Sequence, residues 1–245
     1  GFDIALPGGI SIDDAEASLY LDHGISGFSG NLMTGGIAYD GEDFSFGLSS
    51  LLITAFYDSG LGLAFSADSA SFTSDDIGGE ASDVVVRLSL ADDFTIGDLS
   101  ASVSSLSGRA YDAVFSTGQS SASYSSSGMA SIVLTEISAG YREYSISASR
   151  LDALRTDRAA GDFIISDLTV SSDGNAFFTS PRIEVGGNAG ERRVSLFAES
   201  SEVSMPDSAG GYIGSLVLGS FNGILTENGG IYSFESGASV STVSD

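Results

Sequence analysis

The sequence predicts an all-β protein, a multi-stranded antiparallel sandwich or barrel-like stack of sheets with at most one or two short helices. Three observations carry this. Apolar and small polar residues alternate with period two along most of the 245 residues. A strand-opening octapeptide recurs as Asp93-Phe94-Thr95-Ile96-Gly97-Asp98-Leu99-Ser100 and Asp162-Phe163-Ile164-Ile165-Ser166-Asp167-Leu168-Thr169, with a looser copy from Asp43 to Ser50. Composition agrees: 47 Ser and 32 Gly sit within a chain that is 42% apolar, enough to fold rather than to stay a flexible linker. Phe44, Phe94 and Phe163 are unequally spaced, which excludes a strict solenoid repeat.

In chain order, residues 2–12 are an extended segment interrupted at Pro7-Gly8-Gly9. Proline lacks an amide donor and belongs at an edge or bulge. Residues 16–22 and 28–39 are short strands. Residues 43–57 and 61–73 form a hairpin over Asp58-Ser59-Gly60, with Phe44, Phe46, Leu48, Leu52 and Phe56 on one face. An acidic loop, 74–83, precedes a β-branched strand at 84–90. Residues 94–105 form a further strand. The Ser-rich run 116–128 reads equally as a loop or a flat strand. Residues 130–139 and 141–149 form a second hairpin near Gly140. Residues 149–160 are the one helical pattern, with Leu151 and Leu154 three apart and Gly161 as a cap. A third hairpin, 163–171 with 176–185, turns over Ser172-Asp173-Gly174-Asn175. Strands at 193–199, 212–225 and 230–242 complete a single all-β domain, 1–245.

All nine basic residues are Arg, against 33 Asp and Glu, for a net charge of −24. Such a chain repels nucleic acid and anionic lipid headgroups. Seven of the nine Arg fall between 142 and 193, so a complementary contact between halves or subunits is available. Cys is absent, which fits a reducing compartment or an exported protein held without disulfides. The chain opens Gly1-Phe2-Asp3 without Met, as a processed N-terminus would.

No residue pattern supports catalysis. The single histidine, His23, lies beside Asp22, but no G-x-S-x-G turn supplies a nucleophile. Paired acids such as Asp13/Asp14 and Asp92/Asp93 read as solvated turns. The protein is therefore expected to be a non-enzyme without a cofactor, calcium being the one candidate ligand. Asp75, Asp76, Glu80 and Asp83 place four carboxylates in nine residues around Gly78-Gly79, the oxygen-rich chemistry that a hard cation takes.

The leading expectation is an exported bacterial β-protein that self-associates as a structural subunit of a surface or extracellular fibre or coat. Its interface would be Phe2, Ile4, Leu6, Ile10 and Ile12, which share one face of an extended N-terminal arm, 1–13, able to pair with a neighbour's edge. The first alternative is a porin-like outer-membrane β-barrel with an acidic, cation-favouring lumen, against which the Ser-rich strands stand. The second is a periplasmic β-groove for an apolar ligand such as lipid.

Overall fold

The computed structural model describes residues 2–6, 9–21, 27–57, 60–91, 95–156, 160–188, 193–206, 212–228 and 231–243. Among these residues every regular element is a strand, and every pairing is antiparallel. Contacts divide the chain into two units, Gly1–Ser127 and Gly128–Asp245.

The first unit holds β1 (Phe2–Leu6), β2 (Ile10–Leu21), β3 (Phe28–Asp40), β4 (Phe44–Tyr57), β5 (Leu61–Ser74) and β6 (Ile77–Leu90), each paired to the next. Four shorter strands follow: β7 (Ile96–Val103), β8 (Ser105–Ala110), β9 (Ala113–Thr117) and β10 (Ser120–Ser125). The second half of β6 pairs with β7, and the first half with β8. β8 then pairs with β9, and β7 with β10.

The second unit repeats the plan. β11 (Ala130–Tyr141), β12 (Tyr144–Arg155), β13 (Ala160–Ser172) and β14 (Asn175–Asn188) pair in sequence. β15 (Arg193–Glu199) and β16 (Ser201–Pro206) divide the next position between them. Both pair with β17 (Tyr212–Asn228), which pairs with β18 (Ile231–Val243).

One feature recurs on alternate strands of both units. Asp14, Ser50, Asp83, Glu136 and Asp167, all mid-strand, have φ of 50°, 52°, 49°, 50° and 52°, and Ser200 between β15 and β16 has 32°. This is the left-handed region that L-residues avoid. The ladders skip these residues and their partners without losing register: in β4–β5, Ser49 pairs with Ser69 and Leu52 with Ser66. The row is a crease that crosses the strands and separates each unit into two tiers. Two creases are closed by the same bond. Ser104 Oγ donates to Asp83 Oδ2, and Ser149 Oγ to Asp167 Oδ2, both at 2.7 Å.

The alternation changes phase at this row. On β4 the apolar positions are Phe44, Phe46 and Leu48 before it, then Leu51, Ile53, Ala55 and Tyr57. On β6 they are Ile77, Gly79 and Ala81, then Val84, Val86 and Leu88. On β11, Ile132 and Leu134 precede it and Ile137, Ala139 and Tyr141 follow. Cross-strand partners change with them, so apolar residues stay in rows: Phe46 opposite Phe72 in one tier, Leu32–Ile53–Phe65–Val86 in the other. Thr117 and Ser120, buried on either side of the crease, share a 2.9 Å hydroxyl bond that joins the apolar sides of the two tiers. Buried Ala15, Thr34, Leu51 and Ala67 line the same crease.

Several sequence expectations change here. The face given to Phe44, Phe46, Leu48, Leu52 and Phe56 breaks at Ser50, so Leu52 and Phe56 belong to the opposite side. The helix expected over 149–160 does not form; residues up to Arg155 continue β12, because β11 and β13 pair with both of its edges. The loop 74–83 is only a turn at Asp75-Asp76, with residues from Ile77 onward in β6. The second hairpin turns at Arg142-Glu143, and Gly140 stays in the ladder opposite Ser145. The Ser-rich run 116–128 is largely strand, with Ser120–Ser125 paired to β7.

The crease predicts different outcomes for two changes at Asp83 and one at its partner Ser104. Asp83→Gly should keep the urea midpoint near wild type, since glycine adopts positive φ freely and that relief offsets the loss of the Ser104 bond. Ser104→Ala should cost roughly 0.5–1 kcal/mol, the worth of one hydrogen bond. Deleting Asp83 should abolish the cooperative transition, because it shifts one half of β6 by one residue against the register that β5, β7 and β8 hold.

Candidate functional site

The feature that sets this protein apart is an apolar surface that, among the described residues, nothing within its own unit covers. Among the described residues only four hydrophobic side chains are buried, Ala15, Leu51, Ala67 and Ala148, whereas 24 large ones are exposed. The chain exposes 15309 Å2. A compact 25.0 kDa protein would expose about 10,200 Å2, and two compact halves about 12,300 Å2 together. Each unit is thus a single-layer sheet. It has no second layer to bury rows such as Ala55–Leu63–Leu88–Leu99.

Aromatic rings bracket these rows. At one end of β3–β5, Tyr39 lies 4.8 Å from Phe44 and 5.9 Å from Phe46, and Phe44 lies 6.1 Å from Phe72. At the other end Phe28 stacks on Tyr57 at 6.1 Å. In the second unit exposed Tyr141 and Tyr144 flank the turn between β11 and β12, and the Arg142 guanidinium sits 5.0 Å from the Tyr141 ring centroid. Between the ends the main strands run 12–14 residues. At about 3.3 Å per residue they are roughly 40–46 Å long.

The opposite side is polar. In the first unit it carries hydroxyl rows such as Ser49–Ser69–Ser82–Ser105, with Ser49 and Ser69 joined at 2.8 Å. In the second unit it also carries ion pairs. Arg150 Nε and Nη2 donate to Asp152 Oδ2 and Oδ1, each at 2.6 Å. Arg182 donates to Glu184 in the same i, i+2 arrangement two strands further on. Ser166 pairs with both Arg150 and Arg182, which places the two arginines in one row. The Arg150 hydrogen bond holds the Asp152 carboxyl below its ordinary range against a smaller opposing effect of burial, and the charges of Arg150 and Arg182 add to it. Asp152 in turn raises Arg150, chiefly through that bond. A hollow of about 790 Å3 lies on β13, β14, β15 and β17.

The residues singled out by sequence reasoning fare differently. Asp75 and Asp76 form a turn, while Glu80 and Asp83 lie along β6, so Asp76 and Asp83 are about 23 Å apart at strand spacing. The structure does not gather the four around an ion, and among the described residues no group of three or more His, Asp or Glu is placed to hold a metal. The segment 1–13 is not an extended arm: β1 folds back on β2, with Ile4 opposite Ile12 and Leu6 opposite Ile10. The hairpin supplies from within the chain the backbone partners that an arm would have sought outside. His23 and Asp22 lie outside the described residues, as do Asp92 and the first two residues of the recurring octapeptide, Asp93 and Phe94. Sequence reasoning missed the crease residues and the short strands β8, β9 and β16. The signal for the crease was present as the phase change in alternation. No helix among the described residues is long and apolar enough to cross a membrane, a statement that does not bear on strands. The chain matches no family model, and no similar curated protein or solved structure was found.

The Asp152 geometry predicts a pH effect with a definite sign. A carboxyl held low in the folded state stabilises it fully above the ordinary Asp range, and that contribution is lost as pH falls through the lowered value. Asp152→Asn should therefore melt below wild type at pH 7, by a small margin because both partners are solvated. The gap should close in acid, as read by thermal melts across pH.

Proposed function

We propose that this chain is a membrane-spanning β-protein of the outer-membrane type, whose polar side faces a water-filled, porin-like passage for small solutes. The uncovered apolar side carries this reading. At about 25 cal/mol per Å2, exposing that many large hydrophobics to water is untenable for a free soluble monomer, whereas hydrocarbon removes the penalty. Aromatic residues at both strand ends suit the two membrane interfaces. The phase change at the crease answers the objection from Ser-rich strands, because it sends the serines of β7 and β8 to the side away from Leu99, Ala101 and Leu106. Unpaired edge groups are costly in hydrocarbon, so the reading entails strands that close into a barrel. The net charge of −24 favours cations in such a passage. The export of the chain to a bacterial outer membrane belongs to the same proposal.

The chain has no cysteine, so single-cysteine variants report one position each. With the protein refolded into liposomes, a charged, water-soluble maleimide should label Ser71→Cys and Ser102→Cys but spare Leu63→Cys and Val86→Cys. A membrane-partitioning maleimide should do the reverse. Equal labelling of all four by the charged reagent would defeat the membrane reading. So would a detergent-free preparation that sediments as filaments, which would support the self-associating fibre or coat subunit instead.

A further inference from the structure

We propose that the hollow on the polar side of β13, β14, β15 and β17 binds a small organic cation with an apolar body, using Asp162 as counter-ion and Phe197 as the wall. Elsewhere the polar side carries serine rows and, in this unit, carboxylates already held by arginine, which attract such a molecule weakly. Here three half-buried apolar side chains, Ile164, Phe197 and Ile224, stand among the polar ones and line a space of about 790 Å3. That volume matches a small-molecule site. Register explains the grouping. Ile164, Glu184, Phe197 and Asn222 form one cross-strand row, and Asp162, Gly186, Ser195 and Ile224 form the next.

Charge then selects the occupant. The lining holds two carboxylates, Asp162 and Glu184, and no arginine. Glu184 is already bound to Arg182. Asp162 is exposed and makes no ion pair among the described residues, so its charge is available to a ligand. Gly186 stands between Asp162 and Ser195 in its row, and their side chains leave no room for one of its own. A methyl group there would meet Ser195 Oγ at 2.7 Å and the Asp162 oxygen at 3.2 Å. The missing side chain thus lets a carboxylate and a hydroxyl close in over bare backbone. An ammonium head in the hollow above them meets Asp162 and Ser195, and its apolar body lies against Phe197, whose ring face also attracts cations. A bare inorganic cation gains nothing from that wall, and a neutral aromatic gains nothing from Asp162. The site lies on one unit and needs no particular surroundings for the apolar side of the sheet.

Isothermal titration of the full-length chain in detergent with benzyltrimethylammonium chloride tests the assignment. Saturable one-site binding is expected, and neither benzyl alcohol nor sodium chloride at the same concentration should reproduce it. Asp162→Asn should weaken affinity at least tenfold, and Phe197→Ala and Gly186→Ala severalfold. Asp162 is exposed, so its isosteric replacement should leave the fold intact, and circular dichroism checks this. Absence of saturable binding to the wild-type chain overturns the proposal. So does unchanged affinity in Asp162→Asn, or displacement by sodium as effective as by the organic cation. Failure of the liposome labelling test leaves this result unaffected, since the titration requires no membrane.

Discussion

A sheet one layer thick has nowhere inside itself to put its hydrophobic side chains, and the rest of this structure answers to that constraint. Residues such as Leu63, Phe65, Val86 and Leu88 stand in cross-strand rows with no helix or second sheet over them in their own unit. Backbone hydrogen bonding is satisfied strand to strand, so cohesion comes from the ladders and from neighbours within a row. The burial that stabilises most soluble domains is confined to the crease, where small side chains such as Ala15, Ala67 and Ala148 fit.

The crease is what lets both ends of each strand share one apolar side. A left-handed residue at mid-strand turns the pleat over, and the sequence compensates by shifting its alternation one position at the same place. Every strand in the row carries the adjustment, so register survives on both sides of it. Asp and Ser suit these positions. Aspartate tolerates positive φ better than most residues, and a facing hydroxyl ties it down, as Ser104 does for Asp83 and Ser149 for Asp167.

The arginines clustered in the second half of the chain invite the idea of a contact with an acidic partner surface. Two of them find a partner two residues away on their own strand instead, Arg150 with Asp152 and Arg182 with Glu184. Residues i and i+2 share a side in a strand, so this pairing is local by geometry. It leaves the polar side of the second unit charged yet nearly balanced there, and it leaves Asp162 as the carboxylate without a guanidinium beside the hollow.

Strand identity was legible in the sequence because period-two alternation and two-residue turns are local signals: the hairpin of β13 and β14 over Asp173-Gly174 and that of β4 and β5 stand close to where the residues place them. Local signals also misled. Leu151 and Leu154 at helical spacing looked like a helix, yet pairing on both edges of β12 outweighs a weak helical preference. The apolar content was plain from composition, but which side each residue takes depends on a backbone turn at single positions such as Ser50, which only the folded chain displays. The four carboxylates between Asp75 and Asp83 were close in sequence and are far apart in space, because an extended strand separates what a loop would gather. The N-terminal segment had the alternation of a strand from the start. Its partner, β2, was decided by the tertiary structure, since alternation specifies a face to be paired and not the edge that pairs with it.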